Sequence, residues 1–587
     1  MKTVTNKKIV FLLIIIGFLV WGNSLRNTLV WDDDENIINN SYIRHISLWP
    51  KLFTENQVAG AGVVSNQYRP ILELSYGIEY HIWRLWPVGY HFINIIIHIF
   101  NAILIFLILK KIQSAISPST SLRVNDQQSA IKPFNHLTIP FLTSLLFLIH
   151  PIQTEAVDYI AGRTDLLGLM FMLITVYLFL KKLFNNEAMK QWNNLAIYLS
   201  FILALLSKES TIILPGIISL LYLMFAGSDR NYLIFAPKGK RATTNTDRKL
   251  NSFASDSQSQ IIFVRPEQTT IFLLIISLIY FFLRLTVFNF QNTLNFYNSN
   301  NLFTTNIFYR FFTFLSTLPV YLSLFIAPIH LFMERTNPVY TSLLYPMPLL
   351  GFILISMLVA LLILLRKNKL ILFSVSWILL TLLPVSNILV PLNSLIAEHW
   401  MYIPSVGVFL FVSCFFSFLA SKKNFRSLTI FIIVIIVISL SLRTISRNSD
   451  WKDRITFYEQ TIKFSPGSAR VRNNLAMAYA DVKQYEKAEK EYLKSISLSD
   501  DYPQTHHNLG NIYVQLKRYD QAINEYKKAI KMDKYFSPAY FNLTLAYLRK
   551  GEKDRAITTL ETYGKLFPGD PKTGELINLI KSDKIVF

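Results

Sequence analysis

The residues able to do chemistry in this 587-residue chain fall in short polar stretches between long apolar runs. The first stretch reads Trp31-Asp32-Asp33-Asp34-Glu35 and is followed by Tyr68-Arg69-Pro70 and Glu73. The second carries His150-Pro151, Glu155, Asp158, Arg163 and Asp165; Lys208-Glu209 and Glu398-His399 come later. A carboxylate held against a hydroxyl can take its proton. An arginine fork matches phosphate oxygens in pairs, and a lysine offers them a point charge. Each piece also has a plainer reading: Asp32–Glu35 as a solvated turn, Lys208-Glu209 as a hairpin turn, His150-Pro151 as a helix end. His91 and His98 share one helix face a heptad apart, which suits hydrogen bonds between helices better than a metal. His506-His507 lies in a repeat helix without a partner pattern and is expected on the surface.

The elements that must position these groups are membrane helices. Apolar residues make up 52% of the chain and charged residues only 16%, which disfavours disorder and a purely soluble fold. Runs long enough, or nearly so, to span a bilayer lie near 9–22, 90–109, 137–150, 166–184, 194–206, 211–226, 269–288, 348–365, 370–390, 402–420 and 427–442. Lys2, Lys7 and Lys8 precede the first run and no small-residue cleavage site follows it, so a retained anchor is expected. The lone cysteine, Cys414, excludes an intrachain disulfide and a cysteine metal cage.

The net charge of +21 gathers in short loops: Lys110/Lys111, Lys181/Lys182, Arg230 to Arg265, Arg366/Lys367/Lys369 and Lys422/Lys423/Arg426. Such clustering marks cytoplasmic loops rather than a nucleic-acid groove. All five can face the cytoplasm only if 306–328, with Pro319 and Pro328, crosses an even number of times, as a re-entrant pair of half-helices or not at all. That predicts eleven crossings, an inside N-terminus and an outside C-terminus. All four polar stretches then fall outside and converge on one cavity, since ionisable groups at bilayer edges tend to be kept for pairing or function.

Beyond about residue 450 the pattern changes. A period of 34 superposes Leu475, Leu509 and Leu543, then Tyr479, Tyr513 and Tyr547, then Ala488, Ala522 and Ala556. Tyr492 and Tyr526 recur, with Leu560 in the third unit. This resembles tetratricopeptide repeats, in which such spacing lets antiparallel helices interlock. Units are expected near 469–502, 503–536 and 537–570, with a lone second helix before them (Tyr458 to Pro466) and a terminal helix opened by Asp570-Pro571. The fold class is therefore all-α, with a polytopic bundle over 1–450 and an α-solenoid over 451–587.

The patches also stand in a characteristic order. Trp31-Asp32-Asp33 with Ile37 and Asn40 is followed by Tyr68-Arg69-Pro70 and by Pro87-x-Gly89-x-His91-x-x-Asn94-x-x-x-His98. His150-Pro151-x-x-Thr154-Glu155-Ala156-Val157, Gly162-Arg163-x-Asp165, Ser207-Lys208-Glu209 and Ala397-Glu398-x-x-x-Tyr402-x-Pro404-Ser405 complete the series. This series, with the repeat tail behind it, resembles the transmembrane and tetratricopeptide-repeat O-mannosyltransferases and their prokaryotic relatives in the C-type glycosyltransferase superfamily. The resemblance implies transfer of a sugar, mannose first, from a polyprenyl-phosphate carrier to a protein Ser/Thr hydroxyl on the extracytoplasmic side.

On that reading Asp33 or Asp32 is the base. Arg163 and Lys208, with Arg69 third, would meet the lipid phosphate. His150 would donate to phosphate or sugar, and Glu155, Asp165, Glu209 and Glu398 would orient the cations. His91 is kept as a substrate-side candidate. No cofactor or dedicated metal site is expected, although magnesium or manganese would suit Asp32, Asp33 and phosphate oxygens. The prenyl tail would lie in an apolar groove bordered by 306–328, and the concave repeat face would hold an acceptor polypeptide or a partner protein. Two other functions compete: a non-enzymatic scaffold for cell-envelope assembly, and a carrier of lipid-linked sugars.

Overall fold

The computed structural model describes residues 6–116, 138–184, 191–225, 266–290, 302–335, 337–392, 394–570 and 572–582. The basic stretch from Arg230 to Arg265 and residue Pro571 lie outside the described residues. Among the described residues every regular element is helical. The chain divides into two compact units, Met1–Leu331 with Asn337–Ser449, and Phe332–Thr336 with Asp450–Phe587.

The first unit is built from α1 (Asn6–Trp21), α2 (Pro70–Trp83), α3 (Pro87–Ile116), α4 (Thr138–Ile149), α5 (Arg163–Phe184), α6 (Gln191–Ser207), α7 (Leu214–Phe225) and α8 (Pro266–Leu285). It continues with α9 (Ile307–Ile326), α10 (Pro346–Leu364), α11 (Lys369–Leu382), α12 (Ser405–Ser421) and α13 (Arg426–Asn448). Among the described residues, seven helices are long and apolar enough to cross a membrane, and five shorter apolar helices accompany them. By length and composition this is a multi-pass membrane unit.

Two expected runs are shorter as helices than as apolar segments. The run 370–390 stays helical only to Leu382, and 402–420 begins its helix at Ser405, after Pro404. A third expectation is corrected. The stretch 306–328 is one continuous 20-residue helix, α9, with Pro319 inside it, and not a pair of half-helices. The Asn306 side chain caps its first turn by accepting from Phe308 N at 2.9 Å, and Pro328 falls beyond its end. Threonine and serine hydroxyls near the proline bond back to the helix, Ser316 to Thr313 O and Thr317 to Phe314 O, each at 2.7 Å.

Hydrogen bonds between helices tie the bundle where apolar contact alone would leave register loose. Trp21 Nε1 donates to Leu148 O at 2.8 Å, Trp377 Nε1 to Ile403 O at 2.8 Å, and Thr444 Oγ1 to Ile149 O at 2.6 Å. His98 takes the role expected of it: one ring nitrogen meets Leu148 O at 3.1 Å and the other the Tyr402 hydroxyl at 2.8 Å.

The second unit repeats one motif. A lone helix, α14 (Arg454–Phe464), precedes three pairs: α15 (Ala469–Asp481) with α16 (Tyr485–Leu498), α17 (Pro503–Gln515) with α18 (Tyr519–Met532), and α19 (Ser537–Lys550) with α20 (Lys553–Leu566). A short α21 (Lys572–Lys581) closes it. Leu475, Leu509 and Leu543 are buried, as are Ala488, Ala522 and Ala556. At Gly510 an added Cβ would stand 2.6 Å from the Tyr526 ring, so the close approach of α17 to α18 is set there.

Two features of this unit were not expected. Residues 332–336 join it: Phe332 stacks on Phe464 with centroids 5.2 Å apart, and Glu334 pairs with Arg470. His506 is buried rather than on the surface, with its ring held between Glu525 at 2.5 Å and Asp500 at 2.6 Å. The bonds to Glu525 and Asp500 outweigh burial and raise its pKa.

The tightest helix contact in the first unit is testable. A Cβ at Gly351 of α10 would stand 1.8 Å from the carbonyl oxygen of Leu315 on α9. Gly351→Ala should therefore force these helices apart and destabilise the unit by about 1–3 kcal/mol. A thermal melt in detergent should show this, and an unchanged melting temperature would contradict the contact.

Candidate functional site

The site is assembled from the loop after α1, the start of α2, the turns between α4 and α5, the link from α6 to α7, and the turn before α12. Hydrogen bonds and ion pairs join these segments at one end of the bundle, so the four polar stretches do converge.

Asp33 is fully buried. Its Oδ2 accepts from Val30 N and its Oδ1 from Ala161 N, each at 3.0 Å. It thus clamps the first loop to the turn Ile160–Gly162 with both oxygens occupied. Burial pushes its pKa up to about 7; the two backbone N–H bonds oppose this, and Asp32 adds to it. Asp32, one residue earlier, is exposed. Trp31 before it has a φ of 57°, left-handed backbone that a bulky residue adopts at a cost, and this turns the chain so that neighbouring carboxylates part, one inward and one outward. Tyr159 lies beside both carboxylates; burial, then Asp32 and Asp33, hold its phenol well above the usual value.

Arg163 opens α5 and is wholly enclosed. Its Nε donates to Asn94 Oδ1 at 2.6 Å, and one terminal nitrogen donates to Ser75 Oγ at 3.2 Å and to Glu79. The other donates to Glu79 Oε2 at 3.0 Å and to Tyr90 O at 2.9 Å. A guanidinium has five donors, and all five meet protein acceptors. The group also lies over the Tyr76 ring, 4.9 Å from its centroid. The assignment of Arg163 to a lipid phosphate therefore lacks a free donor, and here it joins α2, α3 and α5. Glu79 was not singled out from the sequence; an acid next to Ile78 in a helix rich in apolar and aromatic residues was the available signal.

Lys208 is buried and paired with Asp165 on the first turn of α5. Burial lowers the Lys208 pKa, Asp165 opposes this, and Arg69 reinforces it. Arg69 is more open, with 18% of its side chain exposed; its Nε donates to Glu209 Oε2 at 3.3 Å and its other arm to Gln67 at 3.4 Å. Burial acts to raise the Glu209 pKa, but Arg69, its own backbone N–H, Arg284 and Tyr68 N hold it below the usual range. Arg69 thus stands nearer the surface than either cation ranked before it.

The third group centres on Glu155. Its Oε1 meets His399 Nδ1 at 2.6 Å and its Oε2 accepts from His399 N at 3.0 Å, which pins the turn carrying buried Glu398. Burial disfavours the Glu155 charge, yet His399 holds its pKa below normal. His399 is 26% exposed and reaches outward from the same turn, a role its sequence neighbourhood did not single out. An added Cβ on Gly162 would stand 2.7 Å from Glu155 O, so the turn can fold back on itself only with glycine there.

The histidines lie deeper. Ile152 N donates to His150 Nδ1 at 3.2 Å, so Nε2 carries the proton and donates to Phe325 O at 3.1 Å. The His150 ring is therefore engaged at both nitrogens and couples the site to the end of α9. His91 is buried in α3, near Arg163 and the chain at Asn27–Thr28. Beyond Phe325 an apolar cavity of about 370 Å³ is lined by Pro319, Leu322, Ile326, Leu350 and Leu354 of α9 and α10.

Comparison with known proteins finds similarity to the repeats and along most of the chain. Residues 467–534 and 513–577 match tetratricopeptide-repeat families. Human protein O-mannosyl-transferase TMTC3 is 25% identical over 520 residues, covering 85% of this chain and 52% of its own length. The Caenorhabditis elegans protein O-mannosyl-transferase F38B6.6 is 24% identical, covering 84% and 63%. The chain is a distant relative of the protein O-mannosyl-transferases. Human TMTC4, 22% identical over 490 residues, belongs to the same set of relatives. This chain spans about half the length of the TMTC3 proteins it matches. Among solved structures, a crystal structure of MamA aligns over 24% of this chain and 83% of its own at 23% identity, with a TM-score of 0.22.

Two outcomes follow from the buried charges. Glu79→Gln should destabilise the first unit by about 3–5 kcal/mol, because it leaves the Arg163 charge enclosed without its counter-ion; a melt unchanged from wild type would refute the pairing. Asp33 titrates near 7 in the fold and near ~4 in an unfolded chain, so the fold takes up this proton first on acidification. Its contribution to stability should grow from about pH 8 to about pH 5, and Asp33→Asn should lack that gain. Parallel melting curves across this range for both proteins would overturn the assignment.

Proposed function

We propose that this chain is a membrane glycosyltransferase that moves a sugar, mannose first among the candidates, from a polyprenyl-phosphate carrier to a Ser or Thr hydroxyl of a polypeptide. The observation that carries the reading is the division of labour at the first loop: Asp33 is locked inward by two backbone N–H groups while Asp32 faces outward. Asp32 is accordingly the base. It takes the proton of the acceptor hydroxyl as that oxygen bonds to the anomeric carbon. The bond from that carbon to the carrier's phosphate oxygen breaks, and polyprenyl phosphate departs. One displacement with one base inverts the anomeric centre.

Arg69 is the cation best placed to stabilise the departing phosphate, since it keeps exposed donor surface while Arg163 does not. Lys208 supports it from behind through the shared field of Asp165 and Glu209. His399 is near enough to the surface to meet the sugar. The apolar cavity between α9 and α10 would take part of the prenyl chain. No step requires a metal ion here, and magnesium or manganese dependence is a point for assay.

The extracytoplasmic sidedness rests on the basic clusters Lys110/Lys111, Lys181/Lys182, Arg366/Lys367/Lys369 and Lys422/Lys423/Arg426, which the charge rule keeps in the cytoplasm. The parity behind the eleven-crossing proposal is unaffected by a continuous α9. Arg284 at the end of α8 bonds to Asn66 O at 2.6 Å, and Phe325 at the end of α9 meets His150. Both points lie at the site end, so an even number of crossings separates them. The end of α13 also bonds to that end, Asn448 Nδ2 to Val20 O at 3.0 Å, so the repeat unit is expected outside too.

The test is transfer by the purified full chain, with polyprenyl-phosphate sugars and Ser/Thr peptides, read by mass spectrometry. Asp32→Asn should lower turnover by about 10²–10⁴-fold with an unchanged melting temperature. Arg69→Ala should raise the KM for the carrier and leave peptide affinity alone. Retention of every donor across a full sugar panel, or an Asp32→Asn protein as active as wild type, would sink the proposal. A scaffold would keep its partners in the Asp32→Asn protein, which separates the two classes.

A further inference from the structure

Two arginines that the site does not use gather at one ring. Arg44 and Arg84 hold their guanidinium carbons 5.7 and 5.4 Å from the centroid of Tyr80 on α2. Contact with a ring face uses none of the five N–H donors of a guanidinium. Arg44 Nε is buried without an acceptor, and Arg84 is exposed. Among the described residues neither guanidinium pairs with a carboxylate; Glu79, beside Tyr80 in sequence, is taken by Arg163. Like charges gathered without a counter-ion repel one another, so this place favours an anion.

Arg84 follows α2 with φ 56° and ψ −127°, a left-handed backbone that side chains rarely adopt and glycine adopts freely. The turn alone would favour glycine, so the side chain accounts for arginine there. Tyr90 OH donates to Arg84 O at 2.7 Å while Tyr90 O accepts from Arg163, which puts Arg84 at the site end of the bundle. Its depth follows from the chain, because Pro87 opens α3, a helix long and apolar enough to cross a membrane. From Pro87 to Lys110 that helix rises about 35 Å at about 1.5 Å per residue, against about 30 Å of hydrocarbon. With Lys110 and Lys111 in one head-group layer, Arg84 to Trp86 lie in the other. Leu85 and Trp86 are exposed there, and Ile78 and Ile82, one turn apart on α2, extend the same apolar surface. Tryptophan, tyrosine and arginine beside exposed aliphatic side chains are the composition of a membrane interface.

We propose that Arg44 and Arg84 hold the phosphate of an anionic phospholipid in the leaflet at the site end, with Ile78, Ile82, Leu85 and Trp86 against its acyl chains. Guanidinium donors match phosphate oxygens in pairs. Two such groups at one phosphate favour a head group of net negative charge over a zwitterionic one. This binding goes beyond the transferase reading and does not depend on it. Arg69 stands at the start of α2, so a lipid seated at the other end steadies the helix that presents that cation.

The test uses the full chain purified in detergent, with bound lipids counted by native mass spectrometry. The probes are phosphatidylglycerol, phosphatidylcholine of the same acyl chains, and inorganic phosphate. Phosphatidylglycerol should fill a saturable site at least about tenfold more tightly than phosphatidylcholine, the worth of a charge-assisted hydrogen bond. Millimolar inorganic phosphate should not displace it. Arg44→Gln combined with Arg84→Gly should remove the preference. Glycine suits the backbone at position 84, so Arg84→Gly alone should melt no lower than wild type while binding phosphatidylglycerol several-fold more weakly. That separates lost binding from lost folding. Equal binding of the two phospholipids by wild type, or a preference that survives the double change, overturns the proposal. So does displacement of phosphatidylglycerol by inorganic phosphate, which makes the ligand a free anion, or by an equal concentration of polyprenyl phosphate, which gives the site to the carrier. Arginine-dependent binding of phosphatidylglycerol by a protein that transfers no sugar supports the proposal and sinks the transferase reading.

Discussion

Enclosing a guanidinium among apolar helices is the constraint around which the membrane unit is organised. An unpaired charge there would cost several kcal/mol, and Arg163 escapes this by finding an acceptor for every donor. Those acceptors come from α2 and α3, while Arg163 itself opens α5, so the charge cannot be satisfied unless three elements meet in one arrangement. Asp33 reaches the same neighbourhood, since Ala161, whose N–H it holds, lies two residues before the arginine. Tyr76 fills the space between, its hydroxyl donating to Ile160 O at 2.8 Å and its ring under the guanidinium. Buried polar groups of this kind specify one geometry because a half-satisfied alternative is far worse.

This arrangement separates enclosed groups from exposed ones. Asp33, Arg163, Asp165, Lys208, Glu155 and His150 are enclosed and already paired with protein. Asp32, Arg69 and His399 keep surface of their own. The inner set holds each loop in place, and the outer set stands on those loops. Preorganised groups that need not move during reaction are the usual source of large electrostatic rate effects, and an enclosed ion-pair layer behind the surface is one way to hold them still.

The repeat unit follows a different logic. Each helix pair buries its leucine, tyrosine and alanine against the next pair, so its stability is built from neighbour contacts rather than from one buried charge. Its most enclosed ion pair, among the described residues, joins His506 to Glu525, with the more exposed Asp500 on the other ring nitrogen.

The sequence by itself determined the all-α class, most span positions, the repeat register and the set of polar stretches that meet. These are legible because apolar run length and 34-residue periodicity are local properties of the chain. It could not rank Asp32 against Asp33, or Arg69 against Arg163, because neighbours in sequence differ only in which way the backbone turns them. Which of them is enclosed was decided in three dimensions: a left-handed residue at Trp31 parts the two carboxylates, and Glu79, 84 residues before Arg163, takes the guanidinium. The continuity of α9 and the burial of His506 escaped for the same reason. A proline allows either a break or a bend, and a histidine is surface or core according to the acids that distant segments bring to it.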